Sequence, residues 1–204
     1  MLATDRVHLS LPVKVYTAGQ RFLRDRETMA TQPQVDLTKA NGVEFTVKDE
    51  PWTKYKLEDG TLLFGRLVIL KIFRGNEYDA TGQPIYGWQS QNLFTTICPK
   101  TLRGSPTVPP PTSLSPSNTN TTHVDFERVG SEKWNVYDLS DGSLLRVKLE
   151  VTGILRTDRF GPDGEPLYIV NNQPIHRMRV AQTLIKKPQY QPPKRDQEPK
   201  GLYG

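Results

Sequence analysis

The amino-acid sequence predicts an all-β protein made of two tandem copies of a small antiparallel β-barrel or meander module, with an N-terminal edge strand. Two observations lead to this prediction: an internal repeat, and turn residues that separate runs of alternating apolar and polar residues. The segment from Trp52 to Tyr86 recurs 82 positions later, from Trp134 to Tyr168, and 13 of the 35 aligned residues are identical. Self-similarity of this kind is typical of a duplicated folding unit.

The repeat divides the 204 residues into five predicted segments. Two of them are β modules, and the others are a leading segment, a linker and a tail. The predicted segments are 1–42 (a strand and a short helix or loop, packed on the first module), 43–99 (first module), 100–123 (linker), 124–187 (second module) and 188–204 (basic, proline-rich, disordered tail). The alternative is that both copies close one shared sandwich.

The leading segment contains a predicted edge strand. Residues 7–15 alternate, with valine or leucine at every odd position, which is the two-residue period of a half-buried strand. Pro12 lies within this run and cannot donate a hydrogen bond to a neighbouring strand, which favours an edge position. Residues 21–30 are compatible with either a short helix or a loop.

Each copy is predicted to be a series of antiparallel strands. Residues 43–47 and 124–126 are the predicted first strands. Asp-Gly pairs at 59–60 and 141–142 follow the next strand of each copy, and such pairs between alternating runs favour a type I′ hairpin turn. A long strand, a second glycine turn and a last strand complete each copy. Pro174 interrupts the last strand of the second copy and indicates a bulge or an edge position.

The linker and the tail have a different composition from the modules. Both are rich in proline and polar residues and lack a hydrophobic period, so they bury too little apolar surface to offset the entropy of ordering. We therefore expect residues 100–123 to be a solvated, semi-extended linker. The stretch 186–204 has five basic and two acidic residues, so it carries +3 of the net charge of +5.

The two long strands differ in the side chains on their outer faces. In the second copy the outer positions are polar, and they are Arg146, Lys148, Glu150 and Thr152. This alternation predicts a sheet with one solvated face. In the first copy, Phe64, Val68 and Leu70 make three of the four matching positions apolar. The sequence leaves two candidates for the element that covers this apolar surface: the N-terminal strand 7–15 or a partner protein.

The residues that catalysis or metal binding requires are scattered along the chain. His8, His123 and His176 share no ligand spacing, and Cys98 is the single cysteine. No nucleophile motif or phosphate-binding glycine loop occurs, and turn chemistry explains the repeated aspartates. The sequence therefore predicts a protein that is not an enzyme and needs no metal, cofactor or small-molecule substrate.

Three kinds of repeated side chain have both a packing and a binding interpretation. Arg74 and Arg156 are expected to act as gatekeepers or to pair with a nearby acid such as Glu77 or Asp158, with a ligand contact as the alternative. The repeated tryptophans are expected in the core, because each buries a large apolar area. For the repeated tyrosines, a core position and an exposed base-stacking platform stay equally open.

The composition favours a cytoplasmic protein that does not enter a membrane. Hydrophobic residues make up 35% of the chain, and no run approaches the roughly 18 apolar residues that a membrane span needs. The first residues lack the basic and apolar regions of a signal peptide. A single cysteine excludes an internal disulfide and fits a reducing compartment.

These observations favour a non-catalytic binding or structural component of a larger assembly. Two related β modules joined by a linker present similar surfaces twice, which increases avidity. The expected partner is another protein or a second copy of the chain. The candidate partner-binding residues are Phe64, Val68, Leu70 and Trp88.

The alternative function is nucleic-acid binding through a basic face of the second module and the basic C-terminal tail. Basic residues cluster on the last strand of the second copy, and repeated aromatic residues are available for stacking. The candidate residues are Arg146, Lys148, Tyr168, His176, Arg177, Arg179, Lys186 and Lys187.

Overall fold

The described strands form two five-stranded antiparallel sheets, so the predicted all-β class is confirmed. The structure, a computed structural model, describes residues 36, 38–109, 111, 113–117 and 119–186. In chain order the strands are β1 (Asn41–Val43), β2 (Phe45–Asp49), β3 (Thr53–Leu57), β4 (Leu62–Tyr78), β5 (Pro84–Ile97), β6 (Thr121–His123), β7 (Phe126–Val129), β8 (Asn135–Leu139), β9 (Leu144–Phe160) and β10 (Pro166–Arg179). Short 3₁₀ turns at Lys100–Leu102 and Gln182–Leu184 follow β5 and β10.

Some predictions fall on parts of the chain that lie outside the described residues. These are the strand at 7–15, the helix or loop at 21–30, Lys187 and the tail at 188–204.

Each half of the chain contributes one short strand to the sheet of the other half. The first sheet consists of β1, β3, β4 and β5 with β7 from the second half, and the second sheet consists of β6, β8, β9 and β10 with β2 from the first half. The predicted module boundaries at 43–99 and 124–187 consequently do not coincide with the sheets. The predicted barrel is not found, because neither sheet of described strands closes on itself.

The exchange arises because the first strand of each half changes its partner. β1 ends at Val43 on β4, and β2 begins two residues later at Phe45 on β8. In the second half, β6 ends at His123 on β9, and β7 begins at Phe126 on β3. The first strand predicted at 124–126 is wrong over most of its length, because that segment spans the change of partner.

The hairpin turns contain glycines in the left-handed conformation. Their φ values lie between +77° and +85°, and the glycines are Gly60, Gly82, Gly142 and Gly164. No other residue type has a positive φ among the described residues, so the predicted type I′ turns are wrong. Instead, the Gly60 N–H donates to the Leu57 carbonyl, and the Leu57 N–H donates to the Thr61 carbonyl. This pattern is a type I turn followed by a glycine bulge.

The inner faces of both sheets contribute to one hydrophobic core. Tyr55 and Leu63 of the first half belong to the same cluster as Tyr137 and Leu145 of the second, and all four are 1% exposed or less. The inward face predicted for β9 is confirmed. Its residues are Leu145, Val147, Leu149 and Val151, each 6% exposed or less.

The described part of the linker packs on the second half. Leu114 is 6% exposed and clusters with Leu167 and Ile169. The Thr107 N–H donates to the Phe160 carbonyl at 3.1 Å, and the Phe160 N–H donates to Thr107 Oγ1 at 2.9 Å. The expectation of a solvated linker is therefore wrong for these residues. The Gly104 N–H bond to the Gly164 carbonyl and the Arg103–Glu165 ion pair, both at 3.0 Å, add to these contacts.

Candidate binding surfaces

A buried polar cluster joins a hairpin turn of the first half to two strands of the second. Asp59 Oδ2 accepts hydrogen bonds from the Tyr168 hydroxyl at 2.9 Å and from Arg156 Nη1 at 3.1 Å. Its Oδ1 accepts the backbone N–H of Thr61 at 3.0 Å. Burial raises the pKa of Asp59, but these hydrogen bonds outweigh it and hold the pKa below its ordinary value. The ionised Asp59 carboxylate therefore links the two halves through hydrogen bonds.

A matching cluster joins the corresponding turn of the second half to the first. Asp141 Oδ2 accepts hydrogen bonds from the Tyr86 hydroxyl and from Arg74 Nη1, both at 2.8 Å. Burial again raises the carboxyl pKa, and the hydrogen bonds again lower it below the ordinary value. The expected partners of the arginines, Glu77 and Asp158, are wrong, because each arginine pairs with an aspartate of the other half. The signal for this pairing was that an acid, an arginine and a tyrosine are all identical in both copies.

Two side chains with reactive groups, Tyr168 and Cys98, are buried. Tyr168 is 1% exposed, so its prediction as a base-stacking, nucleic-acid-binding residue is wrong. Burial also raises the pKa of its hydroxyl, which stays protonated. Cys98 is 6% exposed and accepts a hydrogen bond from Thr61 Oγ1 at 3.5 Å. Because burial raises the pKa of the Cys98 thiol, it is a neutral packing residue.

The outer face of the first sheet is an apolar surface, called the apolar face from here on. It is formed by Leu62, Phe64, Val68, Leu70, Leu93 and Ile97. The exposed fractions of Leu70, Leu93 and Ile97 are 53%, 38% and 57%. The strand register places Leu62 beside Ile97 and Leu93 beside Arg66, so the apolar side chains of β4 and β5 lie on both sides of one arginine. Three of the four predicted partner-binding residues thus share one face.

Trp88 and His176 do not belong to the surfaces for which they were predicted. Trp88 lies opposite Ile72 in the register, packs against the core and meets the His176 ring edge-on at 4.6 Å. His176 lies opposite Val147, which is fully buried, so it shares the inner face of the second sheet. Burial lowers the pKa of His176, which is therefore neutral at pH 7. Both rings lie between the last strands of the two halves, away from the outer faces, but His176 is exposed, so its contact with nucleic acid stays a prediction.

The outer face of the second sheet carries a cluster of arginines around an indole ring. The cationic face is defined as Trp134, Arg146, Arg177 and Arg179. Arg146 lies directly opposite Arg177 in the register of β9 and β10, and their Cζ atoms lie 5.9 Å and 4.8 Å from the centre of the Trp134 ring. Arg179 is two residues further along β10 on the same face. None of the three arginines forms an ion pair with any described residue.

Of the three lysines predicted for this surface, Lys187 lies outside the described residues, and Lys148 and Lys186 each contact other side chains. Lys148 forms ion pairs with Glu132 and, at 3.0 Å, with Glu150. The hydrogen bond to Glu132 is the main reason that the pKa of Lys148 is above its ordinary value. Lys186 lies against the first half, with its Nζ 3.8 Å from the ring centre of Tyr78. The uncompensated charge is therefore carried by the arginines alone.

Both repeated tryptophans lie at the surface, so their predicted core position is wrong. Trp52 is 40% exposed, and the Arg66 guanidinium lies 5.8 Å from its ring centre. Trp134 is half-buried beneath the two arginines and Lys148, whose Nζ is 5.4 Å from the ring centre. An indole face attracts cations through its quadrupole, which explains why these rings stay outside the core.

Within the described ranges, no group of three histidine, cysteine or acidic residues is placed to hold a metal ion. The same part of the chain contains no helix with the length and apolar character to cross a membrane. Comparison of the chain with protein-family models, curated proteins and solved structures found no match in any of the three. The two outer faces are therefore the basis for proposing a function.

Proposed function

We propose that the protein is a non-catalytic binding component of a larger assembly and that it docks a protein partner on the apolar face. The observation that carries this proposal is the exposure of Leu70, Leu93 and Ile97 on an ordered pair of strands. A cluster of exposed apolar side chains on a folded protein is typical of an association site. Removing these side chains from water supplies the free energy for docking, at about 25 cal/mol per Å² of apolar surface.

The charges beside the apolar face indicate the chemistry of the partner. Lys54 and Lys56 lie on β3 at the same face, opposite Phe64 and Leu62 in the register. Neither lysine forms an ion pair with a described residue. A partner surface with an apolar strip bordered by carboxylates matches this arrangement, because the lysines would then pair at the rim of the interface.

The two halves are best interpreted as copies of one β unit. The series β3–β5 and β8–β10 begin and end at positions 82 residues apart, and the buried aspartate clusters recur at the same offset. In this interpretation, duplication preserves the inner contacts and leaves each outer face free to acquire its own partner. The apolar face is the face that the first copy acquired.

Affinity capture with the full chain tests the docking surface. Ile97→Lys places a charge beside Leu62 at one end of the apolar face, and Val108→Lys is the matched control at a position that is 86% exposed outside it. We expect one protein to be captured by the wild type and by Val108→Lys but lost with Ile97→Lys, because an unpaired charge in an apolar interface is costly. Equal capture of the same proteins by Ile97→Lys contradicts the proposal.

Residues 7–15 are the competing cover for the apolar face. An apolar fluorescent dye distinguishes the two covers in the full chain. If the face is free for a partner, the wild type binds the dye, Ile97→Lys binds less of it, and Leu9→Lys with Leu11→Lys changes nothing. Increased dye binding by the Leu9→Lys and Leu11→Lys variant identifies this segment as the cover and contradicts docking of a partner there.

A further inference from the structure

We propose that the cationic face binds single-stranded nucleic acid, with its arginines on the phosphates and the Trp134–arginine stack against the bases. This face belongs to the second sheet, so the proposal goes beyond the docking of a protein on the first sheet and does not depend on it.

The first argument is uncompensated charge. Arg146 and Arg177 lie opposite each other on adjacent strands, where like charges destabilise a sheet. Arg179 follows on the same face about 7 Å further along β10. Nearby, Arg128 and Lys148 share Glu132 and Glu150, whereas the three arginines have no carboxylate partner in the described part of the chain. An anion lying across the strands removes this repulsion.

The β frame itself does not require these arginines. The corresponding positions of the first sheet, 82 residues earlier, form the same strand pairs and hold Phe64, Thr95 and Ile97. Both sets of residues are therefore compatible with the same register. The arginines distinguish the second sheet from the first. We attribute their presence to the ligand that this face binds.

Guanidinium chemistry favours phosphate as the anion. An arginine donates a planar pair of N–H groups to phosphate oxygens and can stack its flat face on an aromatic ring at the same time. The Cζ atoms of Arg146 and Arg177 lie 5.9 Å and 4.8 Å from the centre of the Trp134 ring, and this cation–π contact restricts both side chains before a ligand arrives. Their N–H edges then meet phosphates with little further loss of entropy.

The stack also favours a ligand with unpaired bases. Indole rings and arginine planes on a sheet surface stack bases that are not paired. A duplex keeps its base faces inside the helix, and an acidic peptide carries charge without a ring for each charge. β10 pairs only with β9 among the described strands, so the edge beside the arginines carries no further described strand.

Fluorescence anisotropy with the full chain tests the proposal. The probes are labelled single-stranded RNA and DNA of about 20 nucleotides, the corresponding duplex, and poly-glutamate. Three phosphate contacts on a single strand predict that affinity falls about 20-fold between about 50 mM and about 200 mM salt. We expect both single strands to bind more tightly than the duplex or poly-glutamate at each salt concentration.

Two charge-matched variants locate the site. Arg146→Gln with Arg177→Gln should lower single-strand affinity about tenfold or more and flatten its salt dependence. Lys194→Gln with Arg195→Gln removes the same charge from the tail and should lower it no more than about twofold. Trp134→Ala should weaken single-strand binding about tenfold and duplex binding by a smaller factor.

Three results would overturn the proposal. They are the absence of single-strand binding at the lower salt concentration, equal losses in the face and tail variants, and poly-glutamate binding as tight as RNA. If the double arginine variant melts at a lower temperature than the wild type, Arg177→Lys decides instead. It keeps the charge and loses the planar stack, so unchanged single-strand affinity in a folded Arg177→Lys protein also overturns the proposal.

Discussion

The outer faces of the two sheets differ far more than the inner frame that carries them. On the inner side, Leu63 and Leu67 of β4 correspond to Leu145 and Leu149 of β9, and all four are buried. On the outer side, apolar or small residues of the first sheet correspond to arginines of the second. The corresponding pairs are Phe64 and Arg146, Thr95 and Arg177, and Ile97 and Arg179.

This difference shows which positions the fold constrains. An inward leucine contacts the shared core on all sides, so a change in its volume leaves a cavity or a clash. An outer side chain contacts solvent and its cross-strand neighbours, so apolar and charged residues fit the same strand register. The inner positions therefore determine the fold, and the outer positions allow each sheet its own surface chemistry.

The largest expected effect comes from breaking the inner frame at matching positions. Leu63→Ala and Leu145→Ala each remove a fully buried side chain, so each should cost about 2–5 kcal/mol of unfolding free energy. Urea unfolding measures both. Leu70→Ala, at a position that is 53% exposed, is the control and should cost much less. A negligible cost for either buried substitution would mean that its half does not share the core.

The next effect concerns the buried aspartates that tie the halves together. Asp59→Asn and Asp141→Asn should each cost about 1–3 kcal/mol at pH 7, because each weakens hydrogen bonds to a partly exposed arginine and to a tyrosine. The folded-state pKa of each aspartate is below its ordinary value. Its stabilising effect is therefore fully present above about pH 4 and is lost as the pH falls through the folded-state pKa.

Urea unfolding at neutral and acid pH measures this dependence. The stability difference between the wild type and each variant should shrink in acid. Asp125→Asn, whose side chain is 84% exposed, is the control and should show little difference at either pH. A difference that persists below the folded-state pKa would assign the effect to packing instead of charge.

Exchanging residues between the outer faces should change stability little and surface chemistry strongly. Phe64→Arg and Arg146→Phe place each residue at the corresponding position of the other sheet, and each should alter the unfolding free energy by less than about 1 kcal/mol. Apolar-dye binding should fall in Phe64→Arg, and oligonucleotide binding should fall in Arg146→Phe. Loss of more than about 3 kcal/mol in either variant would show that the outer positions are constrained as tightly as the core.

The smallest expected effect separates the two surface tryptophans. Trp134 has three cations within 6 Å of its ring centre, and Trp52 has one. Trp134→Ala should therefore destabilise the protein by about 0.5–1 kcal/mol more than Trp52→Ala. Parallel urea titrations of the two variants measure the difference. An equal cost would mean that the additional cations contribute nothing to the folded state.

The sequence predicted those features that depend on residues close together in the chain. The repeat, the glycine turns, the buried face of β9 and the contrast between the outer faces all follow from local patterns. The strand exchange does not, because a two-residue period places Phe45 and Phe126 on a strand without specifying its neighbour. The buried linker residue Leu114 was missed for a related reason, since one leucine in a polar segment produces no period.

The candidate surfaces were predicted in part. Arg146 was identified because alternation assigns it to the solvated face, and Arg177 because basic residues cluster on the last strand of the second copy. His176 adjoins Arg177 and therefore faces the opposite side of the sheet, so the same alternation separates it from the arginines. Trp134 was assigned to the core because large aromatic residues are usually buried. Its cations come from β9 and β10, and no pattern within β8 indicates them.

Differential scanning calorimetry of the full chain tests most directly the claim that the two halves form one frame with two different faces. Because each half contributes a strand to the other sheet and both halves share one core, we predict a single transition whose calorimetric and van't Hoff enthalpies agree. Leu63→Ala and Leu145→Ala should lower its midpoint by similar amounts. Two transitions, each shifted only by the substitution in its own half, would contradict the shared frame.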